Sequence, residues 1–154
     1  MQGKIGLEEH FAIEDTVNDS AGFVPGDYWG ELRSRLLDIH ENRLRQMDAH
    51  SMEMMLLSLN APTVQAIPDV ARAADIARRT NDYLAEQVAQ RPDRFQALAA
   101  LPLQDPELAA RELERCVKEL KFKGALVNGF STAANGIDGP AGWLYYDLPQ
   151  YRDF

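Results

Sequence analysis

The chain has 154 residues, of which 45% are apolar and 26% charged, enough for one ordinary hydrophobic core. Its 16 Lys and Arg residues against 24 Asp and Glu residues give a net charge of −8. That balance argues against a nucleic-acid groove or an anionic membrane surface as partner, because both need clustered positive charge. The single cysteine, the absence of a leader-like start and the absence of an apolar run of about 18 residues favour a soluble cytoplasmic protein without disulfides.

Hydrophobic periodicity predicts an alternation of strands and helices. The run MEMMLLSL is apolar almost throughout, which indicates a strand buried on both faces, as in a parallel sheet. Asp69 and Asp105 are placed to begin helices by accepting backbone N–H bonds. In chain order, the predicted elements are strand 4–10, helix 27–48 in one piece or two, strand 52–59, helix 69–90, strand 95–101, a helix opening at 105–107, strand 124–128 and then a loop from Gly129 to Phe154.

Strands joined through helices run parallel, so the pattern predicts either a doubly wound sheet or a (β/α)₈ barrel. Polar residues cluster where the predicted strands end. The carboxyl ends of parallel strands meet at one edge of the sheet, where barrels above all build their active sites. The polar residues at these ends are Glu8, Glu9, His10, Asn60, Gln104 and Asn128.

Glu8 and His10 are the sharpest candidates for chemistry. Alternate side chains of a strand share a face, so a carboxylate and an imidazole two residues apart can converge on one divalent ion. Gly6 is expected beneath them, keeping that face free of bulk. The alternative is a merely solvated strand end, and two ligands do not complete a site. His40 is expected on the exposed face of a helix and His50 at a helix end, so neither supplies a convincing third ligand.

Two other residues, Cys116 and Phe23, are of types that often have a function. Cys116 lies among apolar helical positions and is expected to be a small buried side chain. Phe23 lies in a long segment, 19–26, that follows the first strand, and long loops on this face are commonly functional. It could line a pocket for a flat aromatic ligand, or it could pack onto the following helix.

Five segments resemble one known family: GKIGLEEHFAI, SLNAP, RPDRFQALAALPLQDP, GALVNGF and YYDLPQYR. Together they are similar to the amino-terminal half of the γ-resorcylate (2,6-dihydroxybenzoate) decarboxylases of the amidohydrolase superfamily. The pieces RPDRF and LPLQDP are shared with the aminocarboxymuconate-semialdehyde decarboxylases. GLEEHFA, SLNAP and VNGF are closer to the resorcylate branch. The resemblance covers essentially the whole chain.

The resemblance implies that residues 1–154 are the first half of a single (β/α)₈ TIM barrel, with about four parallel strands and three helices. It implies one divalent metal ion, zinc or manganese, no organic cofactor, and reversible decarboxylation of 2,6-dihydroxybenzoate to resorcinol and CO₂. We expect a small aromatic carboxylate as substrate and a homo-oligomer at full length. Glu8 and His10 would be metal ligands and Phe23, Asn60 and Asn128 substrate-binding residues, with the catalytic residues in the other half.

The resemblance has two departures: Ser51 stands where the family commonly has glycine, and the loop 131–144 looks longer than in close relatives. Two other functions remain open, a hydrolase of the same superfamily that acts on a lactone or an amide, and a non-catalytic fragment that binds a partner. Because a four-stranded half barrel has two unpaired edges, we expect the isolated chain to dimerise or aggregate without turnover.

Overall fold

The computed structural model describes residues 3–133, 142–152 and 154. Strands β1 (Lys4–Phe11), β2 (Met52–Leu59) and β3 (Phe95–Ala97) form a parallel sheet in the order β1-β2-β3. Helices connect the strands, as parallel neighbours require. The predicted α/β class is confirmed, and the three-stranded parallel sheet is consistent with half of a (β/α)₈ barrel.

Five α-helices and two short 3₁₀ helices accompany the sheet in the described residues. In the part of the chain that the structure describes, none is both long enough and apolar enough to cross a membrane. Short 3₁₀ helices lie at Val17–Phe23 and Pro149–Tyr151. The α-helices are α1 (Gly26–Leu37), α2 (Asn42–Ala49), α3 (Thr63–Ala66), α4 (Val70–Gln90) and α5 (Pro106–Lys118).

The predicted helix starts are confirmed at α4 and α5. The Asp69 carboxylate accepts from the backbone N–H of Arg72 at 2.7 Å, and the Asp105 carboxylate accepts from that of Leu108 at 3.0 Å. Each bond satisfies a backbone donor that has no partner inside the helix, and such a cap typically contributes about 1 kcal/mol. These starts are encoded locally, which is why the sequence sufficed to find them.

The predicted helix 27–48 forms in two pieces. The Asp38 carboxylate accepts from the backbone N–H groups of Glu41 at 3.0 Å and Arg43 at 2.7 Å, so it ends one helix and opens the next. His40 lies in this break, half-buried, with Nε2 3.1 Å from Gln87 Oε1. Its predicted place on an exposed helical face is therefore wrong.

The core lies between the sheet and the helices, and its centre is fully buried. The largest side chains there are Phe11, Phe95, Met47, Leu57 and Leu84. Burying one such side chain contributes about 1.5–3 kcal/mol. Cys116 also lies in this core, as predicted. Burial, together with the nearby Glu112 carboxylate, raises the pKa of its thiol to about 12, so the thiol stays protonated and unreactive at neutral pH.

The carboxyl-terminal quarter departs from prediction. Strand 124–128 reduces to one parallel bridge between Ala99 and Ala125. The predicted loop after Gly129 contains two strands, β4 (Phe130–Thr132) and β5 (Trp143–Tyr145), which pair antiparallel. Aromatic residues favour strands, and the rings of Phe130 and Trp143 stack with centroids 4.9 Å apart. The segment 134–141 of the supposedly lengthened loop 131–144 lies outside the described residues.

The departure at Ser51 has a measurable consequence. Its φ of 55° is in the left-handed region that glycine adopts most easily, and its carbonyl accepts from the backbone N–H of Lys4 at 3.1 Å. We expect Ser51→Gly to raise the free energy of unfolding by about 0.5–1 kcal/mol, since relief of strain exceeds the entropic cost of glycine. Urea unfolding of the full-length protein measures this change. Ser51→Ala, which keeps the Cβ, should show no gain, and an equal gain in both variants would contradict the explanation.

Candidate metal and substrate site

A cavity of about 710 Å³ lies beside the carboxyl ends of β1 and β2. Its wall combines residues of the strand ends with residues of α1 and α2 and of the 3₁₀ segment that follows β1. All five predicted site residues line it: Glu8, His10, Phe23, Asn60 and Asn128. The structure thus brings together side chains that are spread over most of the sequence.

Glu8 and His10 form the candidate metal pair. Glu8 Oε1 lies 3.7 Å from His10 Nε2, while the other ring nitrogen, Nδ1, lies 3.1 Å from the hydroxyl of the buried Ser58. Two ligands at 2.0–2.2 Å from one ion can be at most about 4.4 Å apart, so the pair fits a single ion. Within residues 3–133, 142–152 and 154, no group of three His, Cys, Asp or Glu side chains is placed to hold a metal.

Gly6 does not lie beneath Glu8 and His10 as predicted. The pairing of β1 with β2 is irregular between Gly6 and Glu9, and such a bulge changes which residues share a face. A Cβ atom on Gly6 would lie 2.6 Å from Glu9 Oε1. The glycine therefore makes room for the side chain of Glu9.

Arg43, at the start of α2, connects the end of β1 to α1 and α2 through hydrogen bonds. Its guanidinium donates to the main-chain carbonyls of His10 at 2.6 Å, Asp38 at 3.1 Å and Arg35 at 3.3 Å. Burial lowers the pKa of this guanidinium, and the charges of Glu9 and Asp38 oppose that shift. Arg43 was not predicted from the sequence, because main-chain carbonyls give no residue pattern to recognise.

Asn60 is hydrogen-bonded to the segment that carries Phe23. Phe23, at the end of the 3₁₀ segment, is 76% exposed, so it does not pack onto the following helix. Asn60 is only 2% exposed, and its Nδ2 donates to Ser20 Oγ at 2.7 Å and to the Thr16 carbonyl at 3.3 Å. Its Oδ1 accepts from the Thr16 hydroxyl at 3.3 Å. The Asn60 side chain thus holds the segment that carries Phe23.

The other two polar strand ends have different surroundings. Asn128 is half-buried at the cavity wall. Gln104 is buried outside that wall, where its Nε2 donates to the carbonyls of Val64 at 2.6 Å and Ile67 at 2.7 Å. Gln104 therefore supports the short helix α3.

Ser58 offers a test of how His10 is held. If Nε2 binds the metal, Nδ1 carries the proton and donates to Ser58 Oγ, which fixes the ring orientation. We expect Ser58→Ala to weaken divalent-metal binding by the full-length protein by roughly 10–100-fold. Calorimetric titration with Mn²⁺ measures the affinity. Ser20→Ala, which removes a hydroxyl of the cavity wall but leaves His10 untouched, is the control, and equal affinity in both variants would contradict the role of Ser58.

The chain is similar in sequence and fold to aromatic-acid decarboxylases. The chain is 68% identical over all 154 residues to the γ-resorcylate decarboxylase of Rhodococcus jostii strain RHA1, of which it covers 46%. It is 66% identical to a crystal structure of 2,6-dihydroxybenzoate decarboxylase complexed with 2,6-dihydroxybenzoate, with a TM-score of 0.93 over 99% of this chain and 46% of that one. A dihydroxybenzoic acid decarboxylase from Polaromonas sp. JS666, with bound manganese and the inhibitor 2-nitroresorcinol, gives 66% identity and a TM-score of 0.93, covering 98% of this chain and 44% of its own.

The chain spans about half the length of these relatives. The model of the amidohydrolase family matches residues 23–146, which is most of the chain. Fold, strand-end cavity and family match agree with the resemblance carried by the five sequence segments. The chain belongs to the amidohydrolase family.

Proposed function

We propose that the chain is the amino-terminal half of a metal-dependent decarboxylase that converts 2,6-dihydroxybenzoate reversibly to resorcinol and CO₂. The observation that carries this proposal is the pairing of Glu8 with His10 Nε2, 3.7 Å apart, in a cavity large enough for a single aromatic ring. The identity of 68% to a γ-resorcylate decarboxylase over every residue of the chain supports the same substrate class.

Glu8 and His10 would hold one divalent ion. When bound, such an ion acts as a Lewis acid that polarises substrate oxygens and fixes their orientation. Manganese is favoured because a relative was crystallised with it, while zinc suits the same carboxylate and imidazole ligands. Ser58 orients the imidazole through Nδ1, and Arg43 holds the main chain of His10 in place.

The remaining cavity residues would bind the substrate itself. The exposed ring of Phe23 offers an apolar surface for the benzoate ring, and the amide of Asn128 can hydrogen-bond to a hydroxyl or carboxylate oxygen. In the reaction the bond between ring and carboxylate breaks, CO₂ leaves, and the ring carbon takes up a proton. We assign the proton donor and the remaining metal ligands to the second half of the barrel.

The chain's net charge of −8 opposes the approach of an anionic substrate, so its capture needs local positive charge at the site. A divalent ion held by Glu8 and His10 would supply that charge. We further propose that residues 1–154 form half of a single barrel domain, that the full-length protein is a homo-oligomer and that it acts in the cytoplasm. Gel filtration with light scattering measures the oligomeric state.

The experiment is metal analysis of the purified full-length protein, combined with an assay on 2,6-dihydroxybenzoate. We expect a bound divalent ion and loss of substrate matched by equal amounts of resorcinol and CO₂. Bicarbonate with resorcinol should give the reverse reaction. Full metal occupancy with no CO₂ release would contradict the decarboxylase assignment, and hydrolysis of a lactone or an amide by the same preparation would support the sister hydrolases instead.

A further inference from the structure

The side chain of Gln65, on α3, pairs with the main chain of Asn128. Gln65 is 7% exposed, and its Oε1 accepts from the backbone N–H of Asn128 at 2.8 Å. Its Nε2 donates to the carbonyl of the same residue at 3.2 Å. One side-chain amide thus satisfies both backbone groups of Asn128, as the main chain of a neighbouring strand would.

The same amide reaches the hairpin that follows. Gln65 Nε2 also faces the Phe130 carbonyl at 3.0 Å and the Tyr146 hydroxyl, so its two hydrogens are shared among three acceptor oxygens. That hydroxyl lies 2.9 Å from Ser131 Oγ. Gln65 therefore connects α3 to the end of the cavity wall and to the start of β4.

This contact replaces sheet pairing. In the described part of the chain, the segment 124–128 pairs with the sheet only through the parallel bridge between Ala99 and Ala125. The main chain therefore leaves the sheet before it reaches Asn128. The amide of Gln65 therefore gives the backbone N–H and C=O of Asn128 the hydrogen-bond partners that a paired strand supplies elsewhere in the sheet.

We propose that Gln65 is a positioning residue that places Asn128 against the substrate. The inference rests on the proposed function, because it assumes that Asn128 meets the substrate. The role requires an acceptor and a donor on two separate atoms of one side chain, and the Gln65 amide provides both. A carboxylate of the same size could still accept from the Asn128 N–H but would repel the two carbonyls.

The kinetic test uses Gln65→Glu in the full-length protein. We expect KM for 2,6-dihydroxybenzoate to rise about tenfold, with kcat changed less than about twofold, since a displaced Asn128 weakens binding in the ground and transition states alike. Metal content should be unchanged. Tyr146→Phe keeps both contacts between Gln65 and Asn128 and should retain the wild-type KM. Gln65→Glu with a wild-type KM would overturn the proposal.

The variant Asn81→Ala distinguishes a general loss of stability from a displaced Asn128. It removes a buried amide whose partners, Ala100 and Glu112, do not line the cavity. It should lower stability with no change in KM.

Amide hydrogen exchange of residues 126–133 gives a readout that needs no turnover. Exchange should be at least tenfold faster in Gln65→Met than in the wild type, because the Asn128 N–H loses its acceptor. Equal exchange would overturn the proposal, whereas a wild-type protein without CO₂ release would contradict only the proposed function.

Discussion

Replacing Glu8 and His10 together by alanine in the full-length protein should abolish both metal retention and turnover. Glu8 Oε1 and His10 Nε2, the proposed metal ligands, lie 3.7 Å apart, and a site that loses two ligands retains too few to hold an ion against dialysis. Lewis-acid stabilisation worth several kcal/mol corresponds to a loss of roughly 10³-fold or more in kcat. Elemental analysis after dialysis and an assay of CO₂ release measure the two effects separately.

The matched control removes the same two side-chain types elsewhere. Glu41 and His50 are exposed and lie outside the cavity wall, so the double variant Glu41→Ala/His50→Ala should keep wild-type metal content and rate. A Glu8→Ala/His10→Ala protein that retains metal and rate would contradict the metal assignment. One that loses metal but still releases CO₂ would show that the reaction does not depend on the ion.

The second large effect concerns stability. Asn81→Ala is expected to lower the free energy of unfolding by about 3 kcal/mol, because it strips partners from several buried polar groups at once. Asn81 Nδ2 donates to the Ala100 carbonyl at 2.9 Å and to Glu112 Oε1 at 2.8 Å, and Asn81 Oδ1 accepts from the Ala100 N–H at 2.9 Å. Arg115 completes the group with two bonds to the Glu112 carboxylate.

Denaturant unfolding of Asn81→Ala and of Asn81→Asp measures this contribution. The aspartate keeps an acceptor for the Ala100 N–H but brings a second negative charge against Glu112, so it should be no more stable than the alanine variant. A loss below about 1 kcal/mol in Asn81→Ala, the value for one ordinary hydrogen bond, would contradict a cooperative group. Gln90→Ala, an exposed amide at the end of α4, is the neutral control.

The same group gives the fold a defined sensitivity to acid. Burial raises the pKa of the Glu112 carboxyl, but the hydrogen bonds from Arg115 and Asn81 outweigh burial, so this pKa lies below its ordinary value of 4.5. A lowered folded-state pKa means that this stabilisation is complete above the unfolded-state value. It is lost as the pH falls from about 4.5 through the folded-state pKa.

Features set by short stretches of sequence were predictable. The caps at Asp69 and Asp105, the apolar continuity of β2 and the alternation that pairs Glu8 with His10 all depend on residues close in the chain. The convergence of Asn60 and Asn128 on the same cavity also followed, because strand ends in a parallel sheet share an edge, and Phe23 lies in the loop that follows the first strand at that edge. These are the properties that a repeating strand and helix pattern encodes.

Features that depend on distant partners were not predictable. Ser58 and Arg43 both contact His10, and Gln65 contacts Asn128. In each of these pairs the two residues are more than thirty positions apart in the sequence. The irregular pairing in β1 likewise depends on β2, and it moved Glu9 over Gly6. Strand 124–128 has the right composition, but a strand also needs a neighbour along its length.

The setting of Phe23 has an evolutionary consequence. Phe23 is 76% exposed in this chain, and the segment that carries it is anchored by Asn60 through the side chain of Ser20 and two groups of Thr16. Exchanging Phe23 for another side chain therefore removes little packing, and surface changes of that kind alter stability by only about 0.5 kcal/mol. If Phe23 contacts the substrate ring as proposed, the preference for differently substituted rings can change at this position while the surrounding hydrogen bonds stay fixed, and such a change needs no compensating gain of stability elsewhere.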